Sequence, residues 1–145
     1  MKQFFLKLRA RFSSRAKESL EAQRVLEKQE AAKEAIFHLR IAAKLKEAER
    51  MKLLTSKGLT ASKLMELDLG VKNLQFMFDP KTLIQLGFKK EDFLAKDCAF
   101  QAKNYHGAGL TARYLAKTLG FTREELKRLN FPEQEIVEAF VINLS

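Results

Sequence analysis

From Gly58 onward a Gly, Asp or Asn returns about every ten residues, a spacing that confines helices there to about two turns. These residue types best tolerate the left-handed backbone with which helices end. Cutting at such stops gives GLTASKLMEL, DLGVKNLQFM, FDPKTLIQL, GFKKEDFLAK, DCAFQAKNYHGA, GLTARYLAKTL, GFTREELKRL, NFPEQEIVEA and a partial FVINLS. Position 1 is Gly, Asp or Asn in seven of the eight full units, and position 2 is apolar in all but the third, which has Asp79. An apolar residue returns near position 7 as Leu64, Leu74, Leu83, Phe93, Leu115, Leu126 and Ile136, and often at position 10 as Leu67, Met77, Leu86 and Leu129. The fifth unit departs from the pattern, with Lys103 where an apolar residue is expected, and Gly107-Ala108 reads as a two-residue insertion that marks a bend.

One unit has a direct physical reading. The left-handed residue stops a helix, the apolar residue after it folds back on the last turn, and Thr or Pro at position 3 starts the next helix. Thr122 and Glu125 have the spacing of a capping box. Positions 7 and 10 lie on one helical face. A two-turn helix does not stand alone, so stacked units must share a core, as in a solenoid.

The first 57 residues follow another grammar, with neither Gly nor Pro. Phe4, Leu8 and Phe12 recur at four-residue spacing beside Phe5, which predicts a basic amphipathic helix over 1–14. Ser13 and Ser14 are candidate caps for a second helix. From about 15 to 54 the chain is rich in Ala, Glu, Lys, Arg, Gln and Leu, which predicts one long extended helix. Val25, Ala32, Ile36, Leu39 and Ala43 form one apolar line and Phe37, Ile41, Leu45 and Ala48 another, but no strict heptad is kept. The expected fold is all-α, with a basic helical arm over 1–57 and a compact, solenoid-like array of short helices over 58–145.

Charge follows the same boundary. Of the net +9, residues 1–57 carry +8, with 15 Lys or Arg against 7 Asp or Glu. Residues 1–17 hold six bases (Lys2, Lys7, Arg9, Arg11, Arg15, Lys17) and no acid. Such a segment fits an acidic partner surface. Phe4, Phe5, Leu8, Arg9, Arg11, Phe12 and Arg15 are the candidate partner-docking residues. A nucleic acid and an anionic membrane are the alternative partners for residues 1–17. The segment is also similar to a mitochondrial presequence, with RARFSS resembling a processing site after Phe12. The single Cys98 precludes an intrachain disulfide and suits a reducing intracellular compartment, and no apolar run approaches the ~20 residues of a membrane span.

The array is similar to short decapeptide repeats of GFTxxELKxL type, carried best by GFTREELKRL and well by GLTASKLMEL and GLTARYLAKTL. That resemblance implies an all-helical interaction surface and no activity. LTARYLAKTLGFTREELKRLNF, residues 110–131, also resembles a helix-turn-helix DNA reader, with Ala116, Gly120 and Leu126 at its small, turn and core positions. That likeness points to Arg113, Arg123, Lys127 and Arg128 as nucleic-acid contacts. Against it, Glu124 and Glu125 sit at the helix end that would approach phosphate, and the repeat alone reproduces the Gly-to-Leu spacing at Gly58 and Leu64.

For catalysis, Cys98 and His106 are the one conceivable pair, and no third group is placed to orient the imidazole. No metal-ligand spacing or phosphate-cradling loop occurs. The expectation is therefore a protein with no catalytic, cofactor or metal site and no small-molecule substrate. Its expected role is a structural or adaptor subunit among other protein subunits.

Overall fold

The structure, a computed structural model, describes the backbone of residues 2–141 and the side chains of residues 16–141. Within these residues the chain is all-helical, without a strand. It opens with α1 (Lys2–Ala43), followed by α2 (Glu47–Ser56). Then come α3 (Ala61–Glu66), α4 (Val71–Leu74), α5 (Pro80–Leu86), α6 (Lys90–Phe93) and α7 (Ala102–Gly107). The series ends with α8 (Ala112–Tyr114) and its π-helical continuation Leu115–Leu119, α9 (Arg123–Arg128) and α10 (Glu133–Phe140).

Two expectations for the first half are corrected. Ser13 and Ser14 do not start a new helix, because α1 runs through them. Each costs only about 0.5 kcal/mol relative to Ala, and no Gly or Pro adds a break. The long helix also ends at Ala43 and not near Leu54. Lys46 takes an extended conformation and α2 turns back. No local residue demands this break. Its cause is Arg50, whose guanidinium donates to the Leu45 carbonyl at 3.0 Å, the Ala42 carbonyl at 3.3 Å and Thr82 Oγ1 at 2.9 Å. It also lies 5.9 Å over the Phe78 ring. One side chain thus bonds two carbonyls, one at the end of α1 and one just past it, and ties them to α5. Leu39, Ala42 and Leu54 are buried in the same core as the short helices, so the core crosses the expected 57/58 boundary.

In the second half, the local grammar is visible bond by bond. Gly58, Asp68, Gly87, Gly109, Gly120 and Asn130 all have positive φ. The N–H after the stop donates five residues back from Leu59 to Leu54, Leu69 to Leu64, Phe88 to Leu83, Leu110 to Tyr105 and Phe131 to Leu126. This is the long bond of the Schellman motif. Thr60, Asp79, Thr111 and Thr122 cap the helices that follow. Thr122 and Glu125 close a reciprocal capping box at 2.9 and 3.2 Å.

Two units need a corrected register. Asp79 is an N-cap and Phe78 is buried before it, so the third unit begins at Met77. The fifth is not degenerate: Phe100 takes position 2, Gln101 the N-cap and Tyr105 the buried position 7. Lys103 faces solvent, and the two extra residues are Asp97-Cys98, not Gly107-Ala108. In the sixth unit the eleventh residue is absorbed by the π turn Leu115–Leu119, the usual way for a helix to take one insertion. With these registers every position 7 is at most 8% exposed: Leu64, Leu74, Leu83, Phe93, Tyr105, Leu115, Leu126 and Ile136.

Four polar contacts join helices three apart in the series. Glu47 in α2 meets Lys81 in α5 at 2.9 Å. Gln75, at the end of α4, donates to the Asp97 carbonyl at 2.7 Å and accepts from Ala99 N at 2.6 Å, on the approach to α7. Lys90 of α6 meets Glu125 of α9 at 3.2 Å, and His106 of α7 meets Glu135 of α10 at 2.7 Å. Glu135 also accepts from Ala112 N at 2.8 Å.

Candidate interaction surfaces

The helix-turn-helix residues are placed as follows. Arg113, Arg123, Lys127 and Arg128 are all exposed. Arg123 lies 5.1 Å over the Phe140 ring and shares with Lys127 a groove of about 370 Å³ that also presents Glu124 and Glu133. Arg128 lines a different groove, with Lys96 and Gln101, and Arg113 lines neither. Of the four, Arg123 and Lys127 share one groove, and Arg113 and Arg128 lie outside it. As a helix of six residues, α9 is only about 9 Å long at 1.5 Å per residue.

At the start of α9 the charge is negative and engaged. Burial works to raise the Glu125 carboxyl pKa, but the Thr122 N–H, Lys90 and the Thr122 hydroxyl outweigh it and hold the group below its ordinary value. A carboxylate with a lowered folded pKa contributes stability above its unfolded value and loses it as pH falls through the folded one. The α6–α9 clasp should hold from neutral pH down to about 4.5 and then weaken. Urea midpoints measured from about pH 4.5 downward should show a shallower acid slope for Glu125→Gln than for the parent chain.

On the arm, residues 16–30 are exposed all round, and α1 begins to pack on the body only near Ala31 and Ala35. Leu20, Val25, Leu26, Phe37 and Ile41 are large apolar side chains left in solvent. Ala35, Leu39 and Ala42 form the inward face. The candidate docking residues Phe4, Phe5, Leu8, Arg9, Arg11, Phe12 and Arg15 lie outside the described side chains.

A further surface residue escaped the sequence reading. Phe76 is 83% exposed, beside a Gln75 pinned by its two bonds to the segment before α7. It stands at position 9 of its unit, where Glu66, Arg128 and Glu138 stand in others, and that mismatch was the available signal.

A groove of about 420 Å³ lies between the second unit and the segment that follows α6. Met65, Val71 and Cys98 contribute its apolar part, and Asp68, Glu91, Asp92 and Asp97 its carboxylates, with Lys72 the single base in the lining. The Cys98 thiol is pushed up from its ordinary pKa by burial, so it is held neutral and weakly nucleophilic. His106 is engaged by Glu135 and stacks edge-on against Phe131, which gives its ring a structural role joining α7 to α10. Among the described residues no three His, Cys, Asp or Glu side chains converge as metal ligands would. No described helix is long and apolar enough to cross a membrane.

Compared with known proteins, the chain matches no family model, and no curated protein or solved structure is significantly similar to it. What can be said of its role rests on the geometry above.

Proposed function

We propose that this chain is a non-catalytic structural or adaptor subunit of a larger assembly, docked through its helical arm. One observation carries the reading. α1 is anchored at one end by buried Leu39 and Ala42, while residues 16–30 are exposed all round, with Lys28 paired to Asp68 as their one ion pair to the body among the described residues. A helix that leaves Leu20, Val25 and Leu26 in water gains by burying them on another surface. Further toward the N-terminus, Phe4, Phe5, Leu8 and Phe12 with Arg9, Arg11 and Arg15 would add apolar anchors and positive charge.

In this reading the short units wind as a solenoid with three helices per turn. The support is the repeated pairing of α2 with α5, α4 with α7, α6 with α9 and α7 with α10. Such an array offers a second contact face, with Phe76 its most exposed apolar residue. The free thiol of Cys98 suits a reducing intracellular compartment.

The test is affinity purification of tagged full-length and Δ2–17 chains after nuclease treatment. The full chain should bring down a defined set of proteins in fixed ratio, and the deletion should lose them. Retention by the deletion variant would refute docking through the arm. Loss of the set on nuclease treatment alone would transfer the role to nucleic acid.

A further inference from the structure

We infer that the acidic groove between the second unit and the segment after α6 receives the basic N-terminal segment of a second copy of this chain. The inference rests on the reading of the arm as a docking element, and it names the surface on which the arm docks.

Complementarity is the first ground. The groove has four carboxylates and one lysine in its lining around an apolar floor that includes Met65, itself 49% exposed. Asp68 is paired with Lys28 and Asp92 accepts from Lys89 N, so Glu91 and Asp97 are the ones offered to an incoming cation. Residues 1–17 are the chain's only stretch of comparable length that combines six bases, no acid and a row of large apolar residues. At about 3.6 residues per turn, Phe4, Leu8 and Phe12 share one line along the helix, and Arg9 and Arg11 fall on either side of it. An apolar line flanked by arginines is the counterpart of an apolar floor edged by carboxylates. Glu91 and Asp97 are exposed, so a cation approaching them would not displace a buried partner.

Reach is the second ground, and it excludes the chain's own arm. α1 passes the rim of the groove at Lys28, whose Nζ is 2.8 Å from the Asp68 carboxylate. From that point α1 continues without a break to Lys2. Phe12 is sixteen residues further on, about 24 Å along the helix at 1.5 Å per residue. An unbroken helix does not turn back over that distance, so the segment is carried away from its own groove and toward another molecule. Two copies related by a twofold axis can each place an arm in the other's groove, which leaves no arm and no groove unfilled.

The experiment is sedimentation equilibrium on the full chain, at low and high salt, with three variants. The parent should have the mass of two chains at low salt and move toward one at high salt, as ion pairs at an exposed rim require. Arg9→Glu with Arg11→Glu should be monomeric, and so should Glu91→Lys with Asp97→Lys. Mixing the two charge-reversed variants should restore association, because both arm–groove pairs in the mixed dimer then carry opposite charges. Circular dichroism should show all variants as helical as the parent. A parent that stays monomeric, a groove variant that still dimerises, or a mixture that fails to associate would each overturn the inference. If the parent is monomeric while Δ2–17 still loses its protein set, the arm docks elsewhere and the proposed function stands. If the dimer forms as described while Δ2–17 keeps that set, the groove pairing stands and the proposed function fails.

Discussion

Tyr105→Ala should destabilise the chain by about 3–5 kcal/mol, the range for emptying a buried aromatic site. Tyr105 is fully buried, and its ring centroid lies 6.1 Å from Phe100, 6.4 Å from Phe121 and 5.9 Å from Phe131. Those rings belong to the fifth, seventh and eighth units, so one truncation opens a cavity shared by three of them. Such edge-on and tilted pairs add to the area they bury. The conservative variant should act in the opposite direction. The Tyr105 hydroxyl is buried without a hydrogen-bond partner among the described residues, and burial pushes its pKa above the usual phenol value. Removing an unsatisfied buried hydroxyl relieves a desolvation cost, so Tyr105→Phe should stabilise by about 1 kcal/mol. Urea denaturation of the two variants beside the parent decides both signs. A Tyr105→Phe chain that loses stability would mean that the hydroxyl has a role beyond packing.

Leu39→Ala should cost about 2–5 kcal/mol, whereas Leu26→Ala on the same helix should fall within about 0.5 kcal/mol of the parent. Both are leucines in α1, thirteen residues apart. Leu39 is fully buried between α1 and the short helices, and Leu26 is 57% exposed. The contrast separates the part of α1 that belongs to the core from the part left free for a partner. Thermal melts of the two variants measure it directly. Equal losses would show that residues 16–30 are packed in solution, which would remove the basis for an arm that docks on another molecule.

The individual unit was legible because everything it needs is local. Gly120 supplies the left-handed stop, Phe121 the fold-back, and Thr122 with Glu125 the capping box, all within six residues. Leu126 lies on the face opposite solvent by helical period alone. Where an insertion interrupts the period, the reading slipped. Asp97-Cys98 displaced the fifth unit, and Lys103 was placed in the slot that Tyr105 fills. The π turn at Leu115–Leu119 left the sixth unit's buried Leu115 in place, since a helix can absorb one residue without changing which side chain faces inward at its start.

By itself the sequence determined that this chain is helical, where its regularly spaced short helices stop and start, and that its positive charge lies in the N-terminal arm. Each of these depends on backbone preference, capping or composition, which act over a few residues. Only the tertiary structure decided that the long helix breaks after Ala43, where Arg50 bonds the Ala42 and Leu45 carbonyls and also Thr82, thirty-two residues away. It alone brought α6 against α9 and α7 against α10, and set Asp68 beside Glu91 and Asp97 around one groove. These features depend on contacts between residues distant in the chain, and no local preference encodes them.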